Sequence, residues 1–297
     1  MALNISTLKT RALTSLFFVI IMLGGLLWNH WSFFILFSVI HFGCWREYQR
    51  LIGKIDPAYS QITPFHKYGV MIAGWCIMLA FTNRAWSIGG MRLHEIGWWA
   101  GLIFAFVLPV IELLFARKLE LKNIGYSLLG LLYISLSWGL MVDLRTYGMS
   151  FKGESSLFFD FGWQYPLLTV AAIWINDTMA YLVGSVIGKT PFSKISPKKT
   201  WEGTIGGMIM CVLTIFIFHI ITIGDGVNLL VIHYTIMAAI AAVTGTAGDL
   251  LESWLKRRAG VKDSGQLMPG HGGFLDRFDS LLIAVVFVWA YVVLFVE

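Results

Sequence analysis

The residues best suited to chemistry lie in a short charged stretch between two apolar runs. It extends from Asp249 to Asp279 and reads DLLESWLKRRAGVKDSGQLMPGHGGFLDRFD, with five acidic and five basic residues. Only 13% of the whole chain is charged, so this density requires a reason. Carboxylates held together repel one another unless a cation lies among them, and Mg²⁺ binds one or two carboxylates together with substrate phosphates. The alternative is a solvated interfacial loop with mutual ion pairs, and charge alone leaves both interpretations open.

The polar side chains at the two ends of this stretch have helical spacing. Near Asp276, the side chain of Asp279 follows three residues later and would share its helix face. Glycines at 270, 272 and 273 would let the preceding backbone approach a ligand closely. At the other end, four side chains would share one face of a helix that continues the apolar run 229–250: Asp249, Glu252, Ser253 and Lys256.

A second polar group lies inside a neighbouring apolar run. Asn176 and Asp177 fall within the predicted membrane span 165–187. An ionised Asp near the centre of a bilayer costs about 2.5–3.5 kcal/mol on insertion scales, so this position indicates a functional site.

Two lysines, Lys198 and Lys199, follow this span. Ser196 and Pro197 predict a helix start, with Ser196 as the N-cap and Pro197 as the first helical residue. The lysines would then lie in the first turn, where they oppose the helix dipole unless an anion such as phosphate binds there. The alternative is a positively charged anchor at the cytoplasmic face.

Both groups resemble one known family. The charged stretch contains S-x-L-K-R from Ser253, K-D-S from Lys262, P-G-H-G-G ending at Gly273 and D-R-F-D from Asp276. This pattern resembles the signature of the phosphatidate cytidylyltransferases, which are the CDP-diacylglycerol synthases. The N-D-T-x-A-Y run from Asn176 and the S-P-K-K-T-W-E-G run are similar to the same family.

The resemblance implies an enzyme of phospholipid biosynthesis that converts CTP and phosphatidate to CDP-diacylglycerol and pyrophosphate. It also suggests a homodimer, and no nucleic-acid partner is expected. We expect Mg²⁺ as the cofactor, and the number of acids is compatible with a second cation. Because no Ser-His-Asp nucleophile set is apparent, we expect direct transfer without a covalent intermediate.

Site residues are assigned on the same basis. The predicted catalytic residues are Asp249, Asp276 and Lys256, and the predicted metal ligands are Asp249, Asp276 and Asp279. The predicted substrate contacts are Asn176, Asp177, Lys189, Ser196, Lys198, Lys199, Ser253, Arg257, Lys262, Asp263, His271, Gly272, Gly273 and Arg277.

The composition predicts an all-α, polytopic membrane protein. Hydrophobic residues make up 57% of the chain, and its charged fraction is well below that of a soluble domain. Runs of adequate length predict about nine membrane spans in a single integral membrane domain, 1–297, with N-terminal spans in 1–160 and the catalytic part in 161–297. The predicted spans are 12–29, 31–45, 68–83, 96–115, 124–142, 165–187, 204–223, 229–250 and 280–296.

The distribution of positive charge predicts the orientation. If the N-terminus is cytoplasmic, 18 of the 22 Lys and Arg residues lie on the cytoplasmic side. The charged loops 188–203 and 251–279 would then face the cytoplasm, where CTP is found. We therefore expect a multi-pass protein of the cell (inner) membrane whose active site faces the cytoplasm.

Other polar or reactive residues in the apolar runs receive structural interpretations. Glu112 is expected to pair with Arg117 or to extend towards the membrane surface. The cysteines are expected to be small buried hydrophobic residues, and the histidines within spans to pack or form hydrogen bonds. These are Cys44, Cys76, Cys211, His41, His219 and His233.

Two other functions are considered. A CTP-dependent lipid kinase would use similar phosphate-binding groups but would transfer the γ-phosphate to a neutral alcohol. An ion-coupled transporter could explain Asp177 and Asp249, but its site would usually lie near mid-membrane between repeated halves, and the sequence contains no internal repeat. Metal-dependent binding of CTP separates an enzyme from a transporter.

Overall fold

The chain consists almost entirely of helices in the part that the structure describes. This computed structural model covers residues 5–115, 120–152, 157–224, 226–266 and 272–296. A 3₁₀ turn, Pro57–Gln61, and a π-helical segment, Leu131–Leu136, interrupt the α-helices. The helices are α1 (Ile5–Leu27), α2 (His30–Ile55), α3 (Pro64–Ala80), α4 (Leu93–Phe115), α5 (Leu121–Gly130), α6 (Ser137–Thr146), α7 (Gln164–Ile187), α8 (Trp201–Ile223), α9 (Leu229–Arg258) and α10 (Leu275–Phe295).

The helices support the prediction of a multi-pass membrane protein. Each of the nine predicted spans falls largely on one of them, with 124–142 covered by α5, the π-helical segment and α6. Within the described residues, six helical runs are long and apolar enough to cross a membrane. They are α4, the run from α5 to α6, α7, α8, α9 and α10. The count of about nine spans and the cytoplasmic N-terminus stay predictions.

Two small antiparallel ribbons add to the all-α framework. Strands β1 (Ser87–Ile88) and β2 (Met91–Arg92) pair across two glycines that both have positive φ. Strands β3 (Met149–Lys152) and β4 (Leu157–Asp160) pair within the segment between α6 and α7. The buried Arg145 donates from Nη2 to Asp160 Oδ2 at 2.6 Å, which ties the end of β4 to α6.

The predicted helix start at Ser196 is wrong. Helix α8 begins at Trp201, and the side chain of Thr200 caps it by accepting from the Gly203 N–H at 3.2 Å. Lys199 N donates to Ser196 O at 3.1 Å, so Ser196 begins a turn. Lys198 and Lys199 therefore precede the helix. The Ser-Pro signal is local, and the capping Thr four residues later sets the actual start.

The chain divides into two compact units. The first consists of residues 1–163 and 258–277, and the second of residues 164–257 and 278–297. Within the first unit, Ser135 accepts from Trp45 Nε1 at 2.8 Å and lies 3.0 Å from His41 Nε2, so one buried serine is a polar partner of two buried rings.

The other predicted packing residues behave as expected. His219 Nδ1 lies 2.8 Å from the Ile215 carbonyl oxygen, and His233 Nδ1 lies 2.8 Å from the Tyr291 hydroxyl. The three cysteines are buried and form no disulfide bond among the described residues.

Small residues let helices α7 and α8 of the second unit pack closely. A Cβ added at Gly207 would lie 2.7 Å from the Ala180 Cβ, and one at Gly203 would lie 2.8 Å from the Gly184 Cα. Small residues at a four-residue spacing on both helices are a common basis for helix association in membranes. This close packing positions Asp177, one helical turn before Ala180.

Candidate active site

Carboxylates from three helices of the second unit form the centre of the candidate site. Gly248 lets α9 approach α10, because a Cβ there would lie 2.5 Å from the Asp279 carbonyl oxygen. Asp249 and Asp279 are consequently within electrostatic range of each other, and Asp177 of α7 is within range of both. Like charges this close favour a bound cation or compensating basic residues.

Two lysines lie against these acids. Lys199 forms an ion pair with Asp249 Oδ2, and Ser253 Oγ donates to Asp249 Oδ1 at 3.2 Å. Lys256 forms an ion pair with Glu252, whose side chain is fully buried one turn before it on α9. The two lysines therefore compensate part of the carboxylate cluster, and both lie where a phosphate could also bind.

The loop between α7 and α8 positions Lys199. The Glu202 carboxylate accepts from Lys189 N at 3.1 Å and from Thr190 Oγ1 at 2.7 Å, so the first turn of α8 holds the beginning of the loop. Phe192 packs edge-on against Trp201 with ring centroids 4.5 Å apart. These contacts hold the beginning of the loop against the first turn of α8. Lys199, near the end of the loop, extends to Asp249.

Asn176 supplies a polar group that lacks a partner. Its side chain is 4% exposed, and Oδ1 accepts no hydrogen bond from the described residues. A buried acceptor without a donor is costly and uncommon in native structures. The neighbouring side chain of Asp177 is exposed, so this position offers oxygen atoms to a ligand.

The first unit contains the glycine-rich loop and Asp276, which lies in the first turn of α10. Asp276 Oδ2 accepts from Ser264 N at 2.8 Å, from Ser264 Oγ at 2.9 Å and from Gly273 N at 2.8 Å. Gly272 has φ +81°, and a Cβ there would lie 2.6 Å from Asp276 Oδ2. Gly272 thus makes room for a carboxylate of the protein itself.

Glu47 on α2 holds the same loop, and the sequence did not indicate it. Its carboxylate is buried and accepts from Phe274 N at 3.0 Å, Leu275 N at 2.9 Å and Ser264 Oγ at 2.7 Å. A Cβ at Gly273 would collide with this carboxylate. The negative charge also interacts favourably with the N-terminus of α10. The one available signal was an acid at the end of an apolar run, two residues after Trp45.

The remaining predicted residues are distributed as follows. Asp276 and Asp279 do lie three residues apart on one helix, as the spacing predicts. Ser196 belongs to the turn before Lys199. Exposed basic and acidic side chains are Lys189, Lys198, Arg257, Lys262, Asp263 and Arg277. His271 lies outside the described residues.

A metal site made by the protein alone is absent from the part of the chain that the structure describes. No three His, Cys, Asp or Glu side chains there come close enough to hold an ion by themselves. A site completed by substrate phosphates needs only one or two carboxylates, so Mg²⁺ stays a prediction.

Comparison with known proteins gives this helical membrane protein a family. The sequence model of the cytidylyltransferase family matches residues 9–295, so the chain belongs to that family. It is 31% identical over 287 residues to the phosphatidate cytidylyltransferase of Pseudomonas aeruginosa, covering 94% of each chain. It is 27% identical over 285 residues to that of Staphylococcus saprophyticus, covering 94% of this chain and 96% of the relative. For the Bacillus subtilis protein of the same name, the identity is 30% over 222 residues, which is 74% of this chain and 76% of the relative.

Proposed function

We propose that the protein transfers the cytidylyl group of CTP to phosphatidate, giving CDP-diacylglycerol and pyrophosphate. The observation that carries this proposal is the cluster of Asp177, Asp249 and Asp279 with Lys199 in a member of the cytidylyltransferase family. Relatives named as phosphatidate cytidylyltransferases, aligned over nearly the whole chain, support the choice of lipid.

The chemistry requires positioning more than a strong base. A phosphate oxygen of phosphatidate attacks the α-phosphorus of CTP, and the bond from that phosphorus to the β-phosphate oxygen breaks. The attacking oxygen is already anionic near neutral pH, so no side chain has to remove a proton from it. Lys199 and Lys256 would bind phosphate oxygens and offset the charge that develops on the leaving pyrophosphate.

The oxygen-rich cluster fits Mg²⁺. Asp249 and Asp279 would hold the ion, and the partnerless Asn176 Oδ1 is a further oxygen in the same unit. When bound, Mg²⁺ would neutralise negative charge on the triphosphate and on the leaving pyrophosphate. We also propose Asp276, the third ligand predicted from the sequence, as a metal ligand. The proposal includes a second cation.

The proposal includes where the reaction takes place. CTP would bind at the cytoplasmic face of the inner membrane, because most of the Lys and Arg residues are expected there. The acyl chains of phosphatidate would stay in the bilayer while its phosphate reaches the carboxylate cluster. A homodimer stays an expectation from the resemblance.

A product assay tests the proposed reaction. Purified full-length protein in lipid–detergent micelles receives phosphatidate, Mg²⁺ and CTP labelled in the cytosine ring. We expect lipid-soluble cytidine label, accompanied by pyrophosphate, and loss of both when EDTA removes divalent ions.

Parallel reactions separate the alternatives. With CTP labelled at the γ-phosphate, label in a neutral alcohol lipid would identify a lipid kinase instead. No lipid product from well-folded protein with either label would contradict the proposed reaction and favour the transporter.

A further inference from the structure

A long groove in the first unit has no part in the proposed reaction. It has a volume of about 740 Å³ and lies between α3, α4 and the run formed by α5 and the π-helical segment. Along α4 it extends from Gly97 to Leu113, which corresponds to about 24 Å at 1.5 Å per helical residue. Its walls are almost entirely apolar, with side chains such as Val70, Leu108 and Leu131.

Three polar side chains close one end of this groove: His66, Glu112 and Ser127. Glu112 Oε2 accepts from Thr63 Oγ1 at 2.8 Å, and Ser127 Oγ lies 2.7 Å from His66 Nε2. His66 Nδ1 is 3.1 Å from Glu112 Oε1, but this contact is not aligned as a hydrogen bond. The His66 and Glu112 side chains are only 10% and 12% exposed. His66 Nδ1, which has no hydrogen-bond partner among the described residues, therefore lies in a mostly buried cluster.

The sequence predicts Arg117 as a partner of Glu112, and Arg117 lies outside the described residues. The partners of Glu112 among the described residues come from the N-terminal end of α3, namely Thr63 and His66. An acid inside a membrane-spanning helix indicates a functional site when it faces a cavity.

We propose that this groove binds an acylglycerol that carries a free hydroxyl, such as diacylglycerol. One acyl chain would lie along α4, because the groove is apolar and within the size range of small-molecule sites. The hydroxyl would lie at the polar end, where it donates to Glu112 and accepts a hydrogen bond from His66. The lipid hydroxyl would thus act as both donor and acceptor, and no full charge would be transferred into the bilayer.

Charge favours the hydroxyl over other lipid headgroups. A phosphate group at this end would be repelled by Glu112, and among the described residues that line the groove His66 is the only basic side chain. An ammonium headgroup would attract Glu112, but it would have to lose its own hydration and bring its phosphate into the same apolar site. A neutral hydroxyl avoids both costs.

Photolabelling of the full-length protein in lipid nanodiscs tests this proposal. The probe is a diacylglycerol with a diazirine at the end of one acyl chain. Because the hydroxyl is fixed near Glu112, we expect the label at the opposite end of the groove, around Gly97 and Gly101. Unlabelled diacylglycerol should compete at least about fivefold better than triacylglycerol, which lacks the hydroxyl.

Two neighbouring leucines of α5 provide a matched pair of variants. Leu128 lines the groove, whereas Leu129 does not, and they are similarly exposed at 55% and 58%. We expect Leu128→Trp to fill the groove and reduce labelling about tenfold, and Leu129→Trp to leave it unchanged. Glu112→Gln should reduce the preference for diacylglycerol over triacylglycerol, and thermal unfolding midpoints of the variants check that each is folded.

Three results would overturn the proposal. They are equal competition by triacylglycerol, stronger competition by phosphatidate or phosphatidylethanolamine, and labelling that Leu128→Trp does not reduce. The assay measures binding, so its outcome is independent of the proposed cytidylyl transfer.

Discussion

The two units hold the carboxylates of their polar clusters differently. In the first unit, both oxygens of Glu47 accept hydrogen bonds, two of them from backbone N–H groups of α10 and its preceding loop. In the second unit, Asp249 is paired with a lysine and a serine, and Asp177 makes no hydrogen bond to the described residues. The backbone holds the carboxylate of the first unit in place. The carboxylates of the second unit can exchange a side-chain partner for a ligand.

This difference separates structural from chemical carboxylates. Backbone donors cannot leave a carboxylate without unfolding the loop that carries them, and charge-assisted hydrogen bonds of this kind contribute about 1.5–3 kcal/mol each. A lysine ammonium can move to a substrate phosphate and leave its carboxylate to a cation. Asp276 combines the two cases, because its Oδ2 accepts from the backbone N–H groups of Ser264 and Gly273 while the sequence also predicts it as a metal ligand.

The largest expected effect is the loss of activity in Asp249→Asn. The amide keeps the shape of the side chain but removes the charge that would hold the cation, so we expect cytidylyl transfer to fall about 10²–10³-fold. The thermal unfolding midpoint should change little. Initial rates and unfolding curves on the same preparation check this, and a variant with near-normal rates would remove Asp249 from the site.

Glu47→Ala should lower stability instead. It leaves the backbone N–H groups of Phe274 and Leu275 without an acceptor, and each buried unsatisfied group costs about 1–3 kcal/mol. We expect a clearly lower thermal midpoint and a smaller folded fraction. Glu95→Gln is the control, because Glu95 is an exposed acid beside Arg92 and its replacement should change the stability by about 0.5 kcal/mol or less. A normal midpoint for Glu47→Ala would contradict the structural role.

Gly273→Ala tests how closely Glu47 approaches the loop. The added methyl group would collide with the Glu47 carboxylate, so we expect a destabilisation of about 1–3 kcal/mol. Gly125→Ala is the matched control, since a Cβ there meets nothing within 4 Å and Gly125 lies in α5. This control should be neutral or slightly stabilising, because alanine favours a helix over glycine by about 0.5–1 kcal/mol. Equal midpoints for the two variants would show that the loop can move away from Glu47.

Asp276→Asn separates the two roles of the intermediate carboxylate. The amide oxygen can still accept from Ser264 and Gly273, so the fold should largely survive. The lost charge should reduce transfer by about tenfold or more if Asp276 also holds a cation. Full activity with an unchanged midpoint would show that Asp276 only stabilises the loop. A low midpoint would show that the loop needs the charge of Asp276.

The sequence predicts those parts of the fold that depend on local pattern. Apolar runs locate the helices because each run must satisfy its own backbone within the membrane. The spacing of Asp276 and Asp279 predicts one helix face, and α10 confirms that they share a helix. Asn176 and Asp177 are recognised because polar side chains inside an apolar run require a reason.

Contacts between distant parts of the chain could not be predicted in this way. Glu47 and Ser264 are 217 positions apart, and Lys199 and Asp249 are 50 positions apart, so no local spacing connects them. The start of α8 was misplaced because Ser196-Pro197 and Thr200 are both good helix starts, and the turn and loop contacts choose between them. A single sequence contains the residues of the site but not these pairings.

The smallest expected effect concerns a third kind of carboxylate, Asp56, at the end of α2. The Lys122 ammonium beside it, helped by the Ala58 N–H, holds the pKa of Asp56 below its usual value. Its contribution to stability is therefore complete above the pKa of about 3.9 in the unfolded chain, and it is lost as the pH falls through the lower pKa of the folded protein. Between pH 5 and pH 7 the contribution should be constant.

Asp56→Asn isolates this contribution. The difference between the midpoints of the original protein and the variant should be small and constant from pH 7 to pH 5, and it should shrink below about pH 4. Taking the difference at each pH removes the titration of the other acids, provided that they behave alike in both proteins. Because the amide oxygen of the variant can still accept from the Ala58 N–H, the difference reports the charge of Asp56, and a difference that persists at the lowest pH would contradict this role. A difference that disappears there would group Asp56 with Asp249, whose role depends on cations, rather than with Glu47, whose role depends on backbone donors.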